Sequence, residues 1–309
     1  MTIHEAHQKL LFQLYHIYDS NEAEAIANLV MENLVGWKKI DRIINKYVPL
    51  SIPQLELFEK YLQELSTHKP VQYILQEAWF CNLKFYVDEN VLIPRPETEE
   101  LVEWIAEEVR SKKLKVRMKE QGTSDKKQDP PFTIHHSPLT ILDIGTGSGC
   151  IPVALKKKLD NVNIYSCDIS EKALEVAKRN ALSNNAGINF LHLDFLNNEQ
   201  RNELPSCNII VSNPPYIPAN DKSSIPNNVI NFEPHIALFV NDDDPLIFYN
   251  VIADFALEKL LSNGIVYAEL HEDLFSNVKK LFLQKGFQGV TIKKDLLGKH
   301  RMLKATMLP

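Results

Sequence analysis

Cysteine is scarce in this chain: four residues in 309, with no paired spacing. Cys81, Cys150, Cys167 and Cys207 lie far apart, and three of them sit in or beside apolar runs. Such cysteines are expected to be buried free thiols, which excludes a disulfide framework and a zinc site. The ten histidines show no ligand spacing, and the His135-His136 pair falls in a polar stretch that reads as solvated. No metal is therefore expected. No apolar run is long enough to cross a bilayer, so no membrane role is expected. The opening residues Met1-Thr2-Ile3-His4-Glu5 lack a basic segment followed by an apolar one. A cytoplasmic location is the expectation. Also missing is the excess of positive charge that a protein living on nucleic-acid backbone carries: the net charge is −6. That argues against nucleic acid as the main partner. Neither an internal repeat nor a long low-complexity tract is present.

What is present is a change of pattern along the chain. Residues 1–70 read as helical throughout and form a candidate bundle for gripping a protein partner. Ile3 to Tyr18 has apolar residues at helical spacing. Asn21 with Glu24 marks a helix start and Gly36 a stop; Ser51 with Gln54, and Pro53 in the first turn, opens another helix. Residues 71–95 carry the aromatic, partly alternating run Trp79 to Val87, which predicts a β-hairpin linking two domains. An amphipathic helix is expected from about Thr98 to Arg110. Arg110 to Lys127 holds eight basic residues against two acidic ones, and Gly, Ser and Pro follow. Residues 111–138 are read as a solvated, mobile insertion, with contact to nucleic acid as the sharper alternative. From Leu139 onward strands and helices alternate, so residues 96–309 predict an α/β domain with a mainly parallel, doubly wound sheet.

Two motifs carry chemistry. Asp143-Ile144-Gly145-Thr146-Gly147-Ser148-Gly149 lies between an apolar strand and a helix. Its glycines allow a tight turn and close approach of a ligand to the backbone, but their spacing differs from the dinucleotide fingerprint. The next strand ends at Asp168, about twenty residues on, where an acid can accept both ribose hydroxyls of a nucleoside. Ser170 suits the helix-cap role better. The third strand ends at Asp194-Phe195: the acid can take a proton from an adenine amino group and the ring can lie on the base, with core packing as the plainer role for Phe195. Together these residues predict a nucleoside-containing cofactor across the carboxyl edge of the sheet. The fourth strand, Cys207 to Ser212, closes in Asn213-Pro214-Pro215-Tyr216. The prolines stop the strand and leave a rigid turn presenting a carboxamide, bare carbonyls and an aromatic ring. That arrangement suits a planar NH2 group.

These residues resemble the class I S-adenosylmethionine-dependent methyltransferases that act on amino or amide nitrogen. Val91-Leu92-Ile93-Pro94-Arg95-Pro96-Glu97-Thr98-Glu99, Leu142 to Ile151, Asp168-Ile169-Ser170 and Ser212 to Ile217 narrow the resemblance to the HemK/PrmC family. So do Phe232-Glu233-Pro234 and Lys294-Asp295-Leu296. The resemblance implies a Rossmann-like seven-stranded sheet with one antiparallel strand near an edge, preceded by a helical bundle. It implies S-adenosylmethionine as cofactor, S-adenosylhomocysteine as product, and as substrate the glutamine of the Gly-Gly-Gln motif of class 1 release factors. The cofactor residues expected are Gly145, Thr146, Gly147, Ser148, Gly149, Asp168, Phe195 and Asn213, with Asp143, Asp194, Arg95 and Glu97 in support. A surface ion pair is the rival role for Arg95 and Glu97. Departures from the family pattern fall at Phe239 to Asp242, at Leu270-His271 with Leu274, and in the basic insertion.

The mechanism expected is one of orientation. The Asn213 side-chain oxygen and the Pro214 carbonyl accept the two N–H bonds of the glutamine amide and aim its lone pair at the methyl group; Pro215 and Tyr216 wall the side chain and exclude water. Rival readings are glutamine methylation of a ribosomal protein, methylation of a nucleic-acid base amino group, and a non-catalytic binding module on the same fold.

Overall fold

The computed structural model describes residues 1–121 and 138–307. The chain divides into two compact units. The first comprises 1–77 with the short segments Val87–Glu89 and Ser223–Glu233; the second comprises 78–86, 90–222 and 234–309.

The first unit is helical: α1 (Ile3–Leu14), α2 (Ser20–Val35), α3 (Lys39–Ile44), α4 (Ile52–Leu65) and α5 (Val71–Leu75). Local chemistry sets most of the boundaries. Thr2 and Glu5 form a capping box at the start of α1, as Ser51 and Gln54 do at α4, where Pro53 sits in the first turn. Gly36 ends α2 in the left-handed region at φ 72°. The start of α2 differs from the sequence expectation. Asp19 is the cap, its carboxylate accepting from Asn21 N and Glu22 N, so the helix opens earlier than Asn21. Leu10, Leu14, Met31, Phe58 and Leu65 fill the core.

The second unit opens with the antiparallel hairpin β1 (Ala78–Phe80) and β2 (Leu83–Phe85). Three boundaries correct the sequence expectation. Val71–Leu75 is helical, the hairpin itself belongs to the second unit, and Ser223–Glu233, with α10 (Asn227–Phe232), belongs to the first. Helix α6 spans Pro96–Gln121, past the expected end at Arg110, so the insertion begins as a continuation of a helix and not as a loop. The rest of that insertion, with His135-His136, lies outside the described residues.

The sheet domain then runs β3 (Leu139–Ile144), α7 (Cys150–Lys158), β4 (Val162–Asp168), α8 (Glu171–Ser183), β5 (Asn189–His192), α9 (Asn198–Arg201), β6 (Cys207–Ser212), β7 (Ile217–Pro218), β8 (Phe239–Val240), α11 (Ile247–Lys259), β9 (Leu260–Glu269), α12 (Phe275–Gln284), β10 (Thr291–Lys294) and β11 (His300–Thr306). Seven strands form one sheet in the order β10-β11-β9-β6-β3-β4-β5. The β5-β4-β3-β6-β9 pairings are parallel, and β11 runs antiparallel to both neighbours. This is the doubly wound fold of class I methyltransferases. Its central strands are apolar on both faces, as in Ile141 and Leu142 or Ile209 and Ile210, because helices cover both sides. All four cysteines are buried and free. Burial pushes the thiols of Cys81, Cys150 and Cys207 up to about 12, so none is a nucleophile near neutral pH. Among the described residues no helix is long and apolar enough to cross a membrane, and no group of three or more His, Cys, Asp or Glu could hold a metal ion.

Candidate active site

Register brings the functional turns to one edge. Ile144 at the end of β3 pairs with Cys167 on β4 and with Ser212 on β6, and Ser212 pairs with Ala268 on β9. The turn after each strand therefore opens on the same side of the sheet, as the carboxyl ends of a parallel sheet require. There they surround a cavity of about 260 Å³ lined by Arg95, Thr98, Gly145 to Ser148, Asp168, Asp194, Phe195 and Asn213 to Pro215.

On one wall the glycine turn supplies backbone. Gly145, Gly147 and Gly149 have φ of 74°, 50° and 78°, in the left-handed region that excludes most side chains. A Cβ on Gly145 or Gly147 would meet nothing within 4 Å, so both face open space. A Cβ on Gly149 would lie 3.1 Å from Ala177 Cα; that glycine serves the approach of α7 to α8 instead. The turn is held by Asp168, whose Oδ2 accepts from Gly147 N and whose Oδ1 accepts from Ser170 N, both at 2.9 Å. Each oxygen keeps a lone pair for a further donor. Burial pushes the Asp168 carboxyl up, and the backbone N–H groups of Ser170 and Gly147 work against this. Ser170 caps α8 through Ala173 N. Asn180 of α8 donates to the Ser148 carbonyl at 2.9 Å and ties it to Tyr86 at the end of the hairpin.

Asp143 lies beneath the turn, fully buried, accepting from Ser166 Oγ at 2.6 Å. Burial raises its carboxyl to about 7. It does not line the cavity; Thr146 does, while its buried hydroxyl lowers the Asp143 carboxyl against the effect of burial. Asp194 borders the cavity while its Oδ1 accepts from Leu196 N. Phe195 borders it too, but its ring is only 5% exposed and packs edge-on against Phe255 at 5.3 Å, so it also belongs to the core beneath the sheet.

The opposite wall is the proline turn. Asn213 Nδ2 donates to Thr98 Oγ1 at 3.1 Å, and the Thr98 hydroxyl donates to Glu269 Oε2 at 2.6 Å. Tyr216 points away from the cavity: it is absent from the lining, and its hydroxyl donates to Glu269 Oε1 at 3.0 Å. Tyr216 is thus a strut of the turn, whereas Pro214 and Pro215 line the cavity as walls. Glu269 is 2% exposed. Burial pushes its carboxyl up, the Thr98 and Tyr216 hydroxyls pull it down, and the charge of Glu97 raises it further. Glu97 does not line the cavity, while Arg95 does.

The match to known proteins agrees with this layout. Residues 6–75 match the family described as PrmC N-terminal domain, and residues 133–232 match the Methyltransferase small domain. A release factor glutamine methyltransferase of Flavobacterium psychrophilum is 39% identical over 98% of this chain and 99% of its own length. The chain belongs to the release factor glutamine methyltransferase family. The Bacteroides thetaiotaomicron member is 34% identical over 94% of this chain and 95% of its own length. Among solved structures, a human methyltransferase catalytic domain in complex with an RNA hairpin superposes with a TM-score of 0.53 at 15% identity, covering 86% of this chain and 88% of that one, which is a likeness of fold.

Within this methyltransferase family layout, two residues of the site escaped the sequence reading. Thr98 is expected there only at a helix start, and Glu269 is not singled out at all. A signal for Glu269 was available: a carboxylate closing the apolar run Val266-Tyr267-Ala268 must be buried beside donors.

Proposed function

We propose that this enzyme transfers a methyl group from S-adenosylmethionine to the side-chain amide nitrogen of the glutamine in the Gly-Gly-Gln motif of class 1 release factors. The observation that carries the reading is the state of Asn213. Its amide nitrogen is taken up by Thr98, and among the described residues no donor reaches its oxygen, which leaves a cavity-lining acceptor for a substrate N–H. The substrate class follows from the full-length similarity to proteins of that name.

The residues fit the cofactor. Gly145 and Gly147 leave room for a ligand against the backbone, and Asp168 keeps acceptor capacity for ribose hydroxyls. Asp194 offers an acceptor for an adenine amino group, and Phe195 an apolar wall beside it. When bound, S-adenosylmethionine supplies an electrophilic methyl carbon whose sulfonium leaves as the neutral thioether. The protein's part is to orient. A glutamine amide is a poor nucleophile because its lone pair is delocalised into the carbonyl. Asn213 Oδ1 and the Pro214 carbonyl accept its two N–H bonds and fix where the lone pair points. Such pre-orientation contributes up to roughly 7–11 kcal/mol in favourable systems. Both acceptors bind more tightly as positive charge develops on nitrogen, so they favour the transition state over the ground state. One N–H proton is then lost to solvent as the methylated amide forms.

The test uses methyl-labelled S-adenosylmethionine and a release factor carrying either Gln or Ala in its Gly-Gly-Gln loop. Label is expected on the Gln form alone. Equal labelling of the Ala form, or label on a ribosomal protein or RNA with none on the release factor, overturns the reading.

A further inference from the structure

The geometry points to Thr98 and Glu269 as positioning residues that set which way round the Asn213 carboxamide stands, so that its oxygen and not its nitrogen is presented to the substrate. This rests on the reading of Asn213 as the acceptor of the substrate amide.

A carboxamide has two faces of nearly equal shape and opposite hydrogen-bonding sense, so shape alone cannot orient it. Proton counting can. The Thr98 hydroxyl has one proton and two neighbours, Glu269 Oε2 at 2.6 Å and Asn213 Nδ2 at 3.1 Å. Glu269 receives a second donor at its other oxygen, the Tyr216 hydroxyl at 3.0 Å. In its ionised form, which the Thr98 and Tyr216 hydroxyls favour, Glu269 accepts from both and gives nothing back. Thr98 must therefore spend its proton on Glu269, and only its lone pairs remain for Asn213. They can receive an NH2 group and cannot serve a carbonyl. The reversed carboxamide would place its oxygen against an oxygen with no proton between them.

The register of the sheet builds this arrangement. Ser212 pairs with Ala268, so the proline turn and Glu269 leave adjacent strands side by side, and the first turn of α6 lays Thr98 between them. Two further hydrogen bonds hold the frame: Tyr249 Oη donates to the Glu269 carbonyl at 2.9 Å, and Ser212 Oγ to the Ile144 carbonyl at 2.8 Å.

The decisive variants are Thr98→Val and Thr98→Ser in the full chain. Valine copies the shape of threonine and keeps the packing, but it cannot accept from Asn213; the NH2 group then turns to the cavity, where water serves it. Serine keeps the hydroxyl and loses a methyl. If Thr98 only fills space, valine should be the milder change. Orientation predicts the reverse: Thr98→Val lowers kcat for release-factor methylation about ten- to a hundred-fold, the range of an unmade buried hydrogen bond, while Thr98→Ser stays within about three-fold. The Kd for S-adenosylhomocysteine should move by less than about two-fold in both. A second readout needs no turnover. In protein labelled with 15N-asparagine and saturated with S-adenosylhomocysteine, one Asn213 Nδ2 proton should exchange slowly with water, and Thr98→Val should abolish that protection. Equal kcat in Thr98→Val and wild type, or two fast-exchanging Asn213 protons in wild type, overturns the proposal. If wild type places no label on the release factor, the substrate reading falls, and the proton-exchange result still decides the orientation.

Discussion

The two walls of the cavity are built in opposite ways. The glycine turn is one continuous stretch, Asp143 to Gly149, and what it offers a ligand is mostly backbone, braced by Asp168. The proline turn offers one side chain, Asn213, whose orientation is set by residues distant in the chain: Thr98 is 115 positions away and Glu269 lies a further strand across the sheet. A wall made of backbone needs residues without side chains. A wall that must present one oxygen of a carboxamide needs partners with a definite number of protons. The first is expected to depend on its glycines and on the Asp168 brace, the second on every link of its side-chain chain.

This contrast can be broken from either side. The largest effect is expected from Asn213→Ala, which should lower kcat about a hundred- to a thousand-fold, the cost of losing one pre-oriented partner of a developing charge, while calorimetry finds cofactor affinity nearly intact. Retention of most turnover would remove the distinction between the walls. Asp168→Ala should act the other way, weakening cofactor binding about ten-fold or more, with turnover largely recovered at saturating cofactor. Equal affinity by calorimetry would show that the brace on Gly147 and the ribose acceptor are not this residue. The glycines sharpen the picture within one wall. Gly149→Ala brings a Cβ to 3.1 Å from Ala177 at a left-handed φ, and should cost about 1–3 kcal/mol of stability in denaturant melts. Gly147→Ala meets no atom, and beyond its backbone strain should show itself as weaker cofactor binding.

The smallest effect is a matter of pH. Buried Asp143 has its carboxyl raised to about 7, against about 3.9 in an unfolded chain. The folded state therefore holds this proton more tightly than the unfolded state does. Its contribution to stability is fully present below about pH 4 and is lost as pH rises through about 7. Asp143→Asn keeps an acceptor for Ser166 and removes the titration. Between pH 5 and pH 8 the melting midpoint of wild type should fall relative to that of Asp143→Asn by about 2–4 °C, as read in thermal melts without cofactor. Parallel midpoints across that range would count against a titrating Asp143.

Much of this was legible in advance. Strand and helix alternation predicted the parallel sheet, capping pairs at Ser51 and Gly36 marked helix ends, and the motifs around Gly145 and Asn213 pointed to one sheet edge. For Tyr216 the sequence points to a wall beside the proline turn, and the structure adds a hydrogen bond from its hydroxyl to the buried Glu269 carboxylate, a partner 53 positions away. Phe195 packs in the core, the plainer of its two expected roles, and also borders the cavity. The helical continuation to Gln121 is hidden in the sequence by a basic run with few apolar residues, so it lacks the pattern by which amphipathic helices are recognised.

By itself the order of residues settled what local backbone chemistry can settle: where glycine permits a tight turn, where proline ends a strand, where a helix is capped, and which runs must be buried. Tertiary structure alone decided which hydroxyl met which carboxylate. Thr98, Asn213, Tyr216 and Glu269 come from three separate stretches, and the pairing of Ser212 with Ala268 together with the placing of α6 sets them at hydrogen-bond distance. Hydrogen bonds act over about 3 Å, so their partners are chosen by register and packing, which no single stretch of chain contains.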